Sequence, residues 1–287
     1  MRTLKNQLEI CGVGLHSGQQ ICARLLPREQ VGIVFRRVDL ENAPAVEADW
    51  RAVSHTVHAT TLKNGAAEVS TIEHLLAALW LSGVSACVIE LDGPEVPILD
   101  GSSAPWCELL RDQIVATSST RSAPTPLMSL RKTVYFEQNG ASVLALPHHE
   151  LRVSVAVEFG RDYLQEQLFD GVIDSEVFRR ELAPARTFAL EEWIVPLQAQ
   201  GLIRGASLER AILLGTKAPS SELRFSTELA RHKALDLLGD LALLFAPHGA
   251  TFCAHLIAIR AGHAAHLGWM RKCIAENALG ENANRSL

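Results

Sequence analysis

Arg231 to Asp240 reads RHKALDLLGD, a run rich in side chains that hold metals or carry protons. At 3.6 residues per turn, His232, Asp236 and Asp240 fall within one helical stripe roughly 80° wide. Leu235, Leu237, Leu238 and Leu241 point largely the other way. Such a stripe is ordinarily the solvated face of an amphipathic helix. The residue types also suit a metal, because a His and an Asp four apart offer an imidazole nitrogen and a carboxylate oxygen at the roughly 2.0–2.2 Å that zinc takes. A catalytic zinc needs a third protein ligand and an open position for water. Ser70-Thr71-Ile72-Glu73-His74 offers that ligand in His74. Glu73 beside it is a carboxylate able to take a proton from a metal-activated water. The same five residues also read as a capping box, with Ser70 as N-cap, Glu73 at N3 and His74 an ordinary core histidine. Gly262-His263 opens another predicted helix. A helix N-terminus disfavours an imidazolium, so an acid at His263 needs a carboxylate such as Asp240 beside it. Thr187, in Ala185-Arg186-Thr187-Phe188, adds a hydroxyl able to polarise a carbonyl.

The elements that must position these groups repeat. In the first half, Thr71–Ser82 has a helical pattern, Ala86–Leu91 a strand pattern, Asp92-Gly93-Pro94 a turn and Ser103–Asp112 a second helix. In the second half, Ser226–Phe245 is helical, Pro247-His248-Gly249 a turn, Thr251–Arg260 a strand and His263–Asn277 a helix. Strand-like runs precede both sets, at Cys22–Leu26 and Gly32–Arg36, then at Val143–Leu146 and Arg152–Val157. Strands followed by helix, strand and helix, twice over, predict a duplicated α+β unit, each copy packing its helices on a small, mostly antiparallel sheet. Ala116–Pro126, rich in Ser, Thr and Pro, reads as the linker. The predicted domains are residues 1–120 and 121–287.

Bulk properties agree with an ordinary globular enzyme. The 287 residues are enough for about two domains. With 48% hydrophobic and 21% charged residues the chain is not of the disordered class. Its net charge of −5 argues against nucleic acid as the partner. Met1 to Gly18 has no apolar run of the secretory type. Leu75–Ile89 is too short to span a bilayer, and Pro247-His248-Gly249 breaks Leu241–Ile259, so no stable membrane insertion is expected. Cys11, Cys22, Cys87, Cys107, Cys253 and Cys273 form no CxxC pair. A zinc ribbon and a disulfide framework are therefore disfavoured, buried thiols are expected, and a cytoplasmic setting fits.

Taken in order, GVGLHSG (Gly12–Gly18), STIEHLLAAL (Ser70–Leu79), PEVPILDGSSAPW (Pro94–Trp106), ARTF (Ala185–Phe188), ELRFSTELARHKALDLLGDL (Glu222–Leu241) and Gly262-His263 resemble the zinc-dependent UDP-3-O-acyl-N-acetylglucosamine deacetylases of lipid A biosynthesis. The likeness runs from about Leu8 to about Lys272. It implies two similar α+β domains with the active site between them. It also implies one insert in each, near 40–62 and near 188–207, the second forming an apolar passage for the acyl chain. It implies Zn2+ held by His74, His232 and Asp236, with Glu73 as general base and His263 as general acid oriented by Asp240. Thr187 would polarise the acetamide carbonyl and Lys233 would face the diphosphate or the developing charge. Phe188, Phe159, Arg260, Ile203 and Ser207 would contact substrate, Phe159 at the uracil and Arg260 at the diphosphate, where the family often has lysine. The implied partner is a small acylated UDP-sugar, and the implied state a cytoplasmic monomer.

The chain departs from the family pattern at three places. Ala206 stands where a second glycine is usual, Arg204 where the residue is often apolar, and Glu222 where glycine is common before Leu223-Arg224-Phe225. None touches the catalytic set. They keep open a paralogue acting on another N-acylated nucleotide sugar. A non-catalytic nucleotide- or lipid-binding relative is the third reading, and it has no need of a general acid and a general base together.

Overall fold

Along Gln20–Pro27 and Leu151–Val157 apolar and polar residues alternate, so every second side chain (Ile21, Ala23 and Leu25; Val153, Val155 and Val157) is buried and the chain extends as a half-buried strand. The computed structural model describes residues 1–117, 126–164 and 166–281. Two sheets grow from such strands. In the first, the spatial order is Leu8–Val13, Gln20–Pro27, Ala86–Leu91, Gly32–Arg37, Ala45–Glu47. In the second it is Val134–Gln138, Ala141–Leu146, Thr251–Ile259, Leu151–Val157, Gln167–Val172, with Leu127–Leu130 and Leu279–Glu281 added. In both five-strand sets the third and fourth strands are parallel and the other pairs antiparallel. The expected α+β architecture of two sheet-and-helix units is therefore present, with the same strand order in each.

Helices α1 (Glu73–Leu81), α2 (Ala104–Leu109), α3 (the single turn Ser175–Val177), α4 (Glu191–Ala199), α5 (Glu228–Phe245) and α6 (His263–Ala275) complete it. α1 leads into Ala86–Leu91 and α5 into Thr251–Ile259, the matching strands of the two sheets. α1 is buried from Glu73 to Trp80, and in α5 every residue but Arg231 and Lys233 is buried. A helix buried around its whole circumference belongs between layers, and α1 and α5 pack on each other there. The stripe of His232, Asp236 and Asp240 is thus not a solvated face; each of the three is 2% exposed.

Several expectations need correction. Ser70 is not an N-cap. It bridges to Glu95, donating its N–H to Pro94 O at 3.0 Å, and Thr71 then takes a left-handed φ of 56°. The helix starts only at Glu73, with no side-chain cap. Cys11 and Cys22 do form a disulfide, because the register of Leu8–Val13 against Gln20–Pro27 sets them directly opposite, with Cα atoms 4.0 Å apart. The remaining cysteines, Cys87, Cys107, Cys253 and Cys273, are buried as expected. Residues 118–125 of the predicted linker lie outside the described residues. Among the described residues no helix is long and apolar enough to cross a membrane. Near the first expected insert, Val53–His55, Thr61–Asn64 and Ala67–Val69 form a separate antiparallel sheet. Near the second, α4 lies between Phe188–Leu190 and Ile212–Leu214, which pair in parallel.

At Gly239 the α1–α5 crossing leaves no room for a side chain, and a Cβ would lie 2.1 Å from the Glu73 carbonyl oxygen. Gly239→Ala is expected to push the two helices apart at a cost of about 1–3 kcal/mol. Denaturant unfolding of the variant checks this, and an unchanged midpoint would show that the helices tolerate the methyl.

Candidate active site

The crossing brings the first turn of α1 against the middle of α5, and with it three of the residues singled out above. His74 Nε2 lies 3.5 Å from Asp236 Oδ1, and His232 Nε2 lies 3.4 Å from the same oxygen. One donor atom from each of His74, His232 and Asp236 lies within 4.8 Å of the others, and all three residues are buried. Asp236 Oδ1 accepts no hydrogen bond, while Lys233 Nζ donates to Oδ2 at 2.9 Å. An orphaned buried carboxylate oxygen is costly unless a cation meets it. His232 Nδ1 lies 3.1 Å from Ala185 O. That carbonyl accepts a hydrogen bond from the Nδ1–H and leaves the Nε2 lone pair free, the arrangement typical of metal-bound histidines. Burial pushes His232 down to about 3, so the ring is neutral. Burial favours the neutral acid at Asp236, but His232 and Lys233 beside it outweigh that and hold the carboxyl well below its ordinary value. Two imidazoles and one carboxylate fit a divalent metal of the zinc type.

Proton-handling groups surround this triad. Glu73, 3% exposed, has its pKa pushed up by burial, against the downward pull of His263 and His74. A carboxylate raised in this way is a better base near neutrality. His263 opens α6, and its Nδ1 lies 2.8 Å from Asp240 Oδ2. Burial works against a charge on His263, but Asp240, with Glu73 and Asp236 behind it, outweighs burial and lifts the ring to about 9. The carboxylate required by a protonated histidine at a helix N-terminus is therefore in place. Asp240 itself is held well below its ordinary range by His263 and His266, which outweigh its burial. His266 Nδ1 reaches the same Asp240 Oδ2 at 2.7 Å, and the Thr60 hydroxyl donates to Oδ1 at 2.6 Å. Nothing in the linear pattern singles out Thr60 or His266, since both meet Asp240 through tertiary packing alone.

Two buried carboxylates hold the loops over the site. Glu228, 0% exposed, accepts from Arg186 Nε at 2.9 Å and from the Arg186 and Arg224 backbone N–H groups at 3.0 and 2.6 Å. This pins Ala185-Arg186-Thr187-Phe188, aiming the Ala185 carbonyl at His232 and Thr187 at the cavity. Glu95, from Pro94-Glu95-Val96-Pro97, accepts the N–H groups of His16 and Ser17 at 2.9 and 2.8 Å and the Thr71 hydroxyl at 2.9 Å. A side chain at Gly14 would strike Glu95 Oε2 at 2.4 Å, which explains a glycine in GVGLHSG.

Glu73, His74, Thr187, His232, Asp236 and His263 all line one cavity of about 460 Å³, and it continues past Phe188, Ile203 and Ser207 along an apolar wall formed by α4 and Leu208–Leu213. Phe159 and Arg260 line a second cavity of about 640 Å³, and Lys233 and Trp193 border both. Phe159 and Phe188 meet edge to face at 4.9 Å, with Lys233 Nζ 5.5 Å from the Phe188 ring. Arg260 is exposed and paired with Glu158. Every predicted site residue thus lies in or beside the two cavities except Asp240, which contacts His263 from behind. His16, His58 and Trp193 also line the cavity that holds the triad, without having been marked by spacing. Glu228→Ala would leave the Arg186 guanidinium, 12% exposed, without its carboxylate partner. A loss of about 3–5 kcal/mol is expected, and thermal unfolding measures it. A change under about 1 kcal/mol would mean that the pair is not what fixes the segment.

The whole chain has relatives. A family model described as LpxC: UDP-3-O-acyl N-acetylglycosamine deacetylase matches residues 1–275. A protein of Thermosynechococcus vestitus is 41% identical over 267 residues, covering 92% of this chain and 90% of its own. One of Nostoc sp. is 38% identical over 280 residues, covering 95% and 98%. One of Chlamydia caviae is 37% identical over 279 residues, covering 95% and 96%. All three are named UDP-3-O-acyl-N-acetylglucosamine deacetylase. The chain belongs to the UDP-3-O-acyl-N-acetylglucosamine deacetylase family.

Proposed function

We propose that the protein removes the N-acetyl group from UDP-3-O-(3-hydroxyacyl)-N-acetylglucosamine, releasing acetate and the free 2-amino sugar nucleotide in the route to lipid A. The observation that carries this reading is the convergence on one cavity wall of the His74–His232–Asp236 triad, a basic carboxylate at Glu73 and a protonated imidazole at His263. The names of the relatives supply the substrate class.

Zinc would be held by His74, His232 and Asp236, and when bound it supplies Lewis acidity toward a water and toward the amide carbonyl. The rest falls to the chain. Glu73 takes the proton of the attacking water. The Thr187 hydroxyl donates to the oxygen that gains charge as the carbonyl carbon becomes tetrahedral. His263 gives its proton to the sugar nitrogen, the C–N bond breaks, and acetate and amine depart. Asp240 keeps the His263 ring protonated and aimed. Lys233 and Arg260 meet the diphosphate, Phe159 the uracil, and Phe188, Ile203 and Ser207 border the path of the acyl chain along the apolar wall.

Acetate release from this substrate, with and without a chelator, beside metal analysis of the purified chain, tests the reading. Chelator-sensitive release with about one zinc per chain is expected. Bound zinc without release would point to another N-acylated nucleotide sugar. Neither would mean that the fold persists without the chemistry. Glu73→Ala is expected to keep the metal and lose nearly all turnover; loss of the metal or of the fold would make Glu73 a structural residue. His263 is protonated below about 9 and loses its proton above it. The rate is therefore expected to fall on the alkaline side through that pH, and His263→Ala should depress the rate and remove that limb. An alkaline limb that persists in His263→Ala would take His263 out of the mechanism.

A further inference from the structure

Thr60 touches both the carboxylate assigned as base and the carboxylate that orients the acid. Its backbone N–H donates to Glu73 Oε2 at 3.2 Å, and its hydroxyl donates to Asp240 Oδ1 at 2.6 Å. It is 2% exposed and lines neither cavity, so it acts on substrate only through these partners. It stands one residue before the strand Thr61–Asn64 of the small sheet in the first half, and Asp240 lies 180 positions further on, in α5.

The terminal torsion of an aspartate has no sharp rotamer well, so hydrogen bonds must set the plane of its carboxylate. Both histidine contacts of Asp240, from His263 and His266, fall on Oδ2. They fix one oxygen and leave the carboxylate free to swing about it. The Thr60 hydroxyl holds the other oxygen. With Oδ1 anchored, the direction of the Asp240 Oδ2 lone pairs is set, and so is the tilt of the His263 ring that reads them. The same residue meanwhile fixes Glu73 through its main chain, where no substitution removes the donor except proline.

We propose that Thr60 is a positioning residue of the reaction: it sets the plane of Asp240 by its hydroxyl and the place of Glu73 by its N–H, and so holds the acid and the base in one register across the two halves of the chain. The inference rests on the amide hydrolysis proposed above. Thr60→Val is nearly isosteric, removes the hydroxyl and keeps the N–H; Thr60→Ser keeps both donors. In the zinc-loaded full chain, Thr60→Val is expected to lower kcat about tenfold to a hundredfold, with KM changed less than about twofold and bound zinc unaltered. Thr60→Ser is expected to stay within about threefold of the parent.

A second readout is independent of turnover. In the metal-free full chain, the low-field ring N–H resonance of His263, identified by its absence in His263→Asn, is expected to move upfield and broaden in Thr60→Val and to persist in Thr60→Ser. Were the parent to release no acetate, the proposed reaction would fall while this resonance still decided the role of Thr60. The inference is overturned if Thr60→Val matches the parent in kcat and in the resonance. It is overturned equally if Thr60→Ser is damaged as much as Thr60→Val, which would assign the effect to the methyl and to packing. Should Thr60→Val fail to fold, Thr60→Cys, of similar shape and a weak donor, is read by the same criteria.

Discussion

The crossing of α1 and α5 exists because position 239 has no side chain. With Gly239 seated on the Glu73 carbonyl, the first turn of one helix meets the middle of the other at backbone contact. Everything chemical about the molecule follows from that approach. His74 comes within reach of an oxygen on Asp236, Glu73 comes to the edge of the cavity, and Asp240, one turn beyond Asp236, comes to face the start of α6. The distances involved are a few ångströms, so a small separation of the helices would dissolve the triad without unfolding either sheet.

The crossing also concentrates buried charge. Glu73, Asp236 and Asp240 are each no more than 3% exposed, and they lie close enough to influence one another. Three carboxylates in one dry region repel each other and lose their hydration. The chain meets this unevenly. Asp240 is saturated by a hydroxyl and two imidazoles, Asp236 is satisfied on one oxygen and bare on the other, and Glu73 accepts one long backbone hydrogen bond. The gradient in satisfaction is a division of labour. In the reaction proposed above, the fully bonded carboxylate orients, the half-bonded one offers a site for a cation, and the least bonded one takes a proton.

Much of this was legible in the sequence, and the misses have physical reasons. The strands and helices expected from apolar periodicity are present, with boundaries that differ by at most three residues, while several short strands and α4 were not foreseen. The stripe of His232, Asp236 and Asp240 was visible from the helical repeat, but its burial was not, because a polar stripe looks the same facing water or facing a second helix. The capping box at Ser70 failed because the serine is engaged in a bridge to Glu95, a contact 25 residues away that no local pattern encodes. Cys11 and Cys22 escaped notice because the strand Leu8–Val13 carries little apolar alternation, and without its register the pairing cannot be seen. Thr60 and His266 are a short polar residue and a lone histidine, and their meaning appears only once Asp240 is between them.

The two sheets share one strand order and one pattern of directions, and the helices that cross at the centre precede matching strands. Two identical chains meeting in this way would form a twofold dimer, and any group near the axis would appear twice. Hydrolysis of an amide needs unlike partners at one point, a proton acceptor on one side and a proton donor on the other. Joining the copies in one chain breaks that equivalence. α1 carries Glu73 and a single imidazole, and α5 carries an imidazole and three carboxylates, Glu228, Asp236 and Asp240. The covalent link thus permits an asymmetric centre on a symmetric frame, with each half supplying groups that the other lacks.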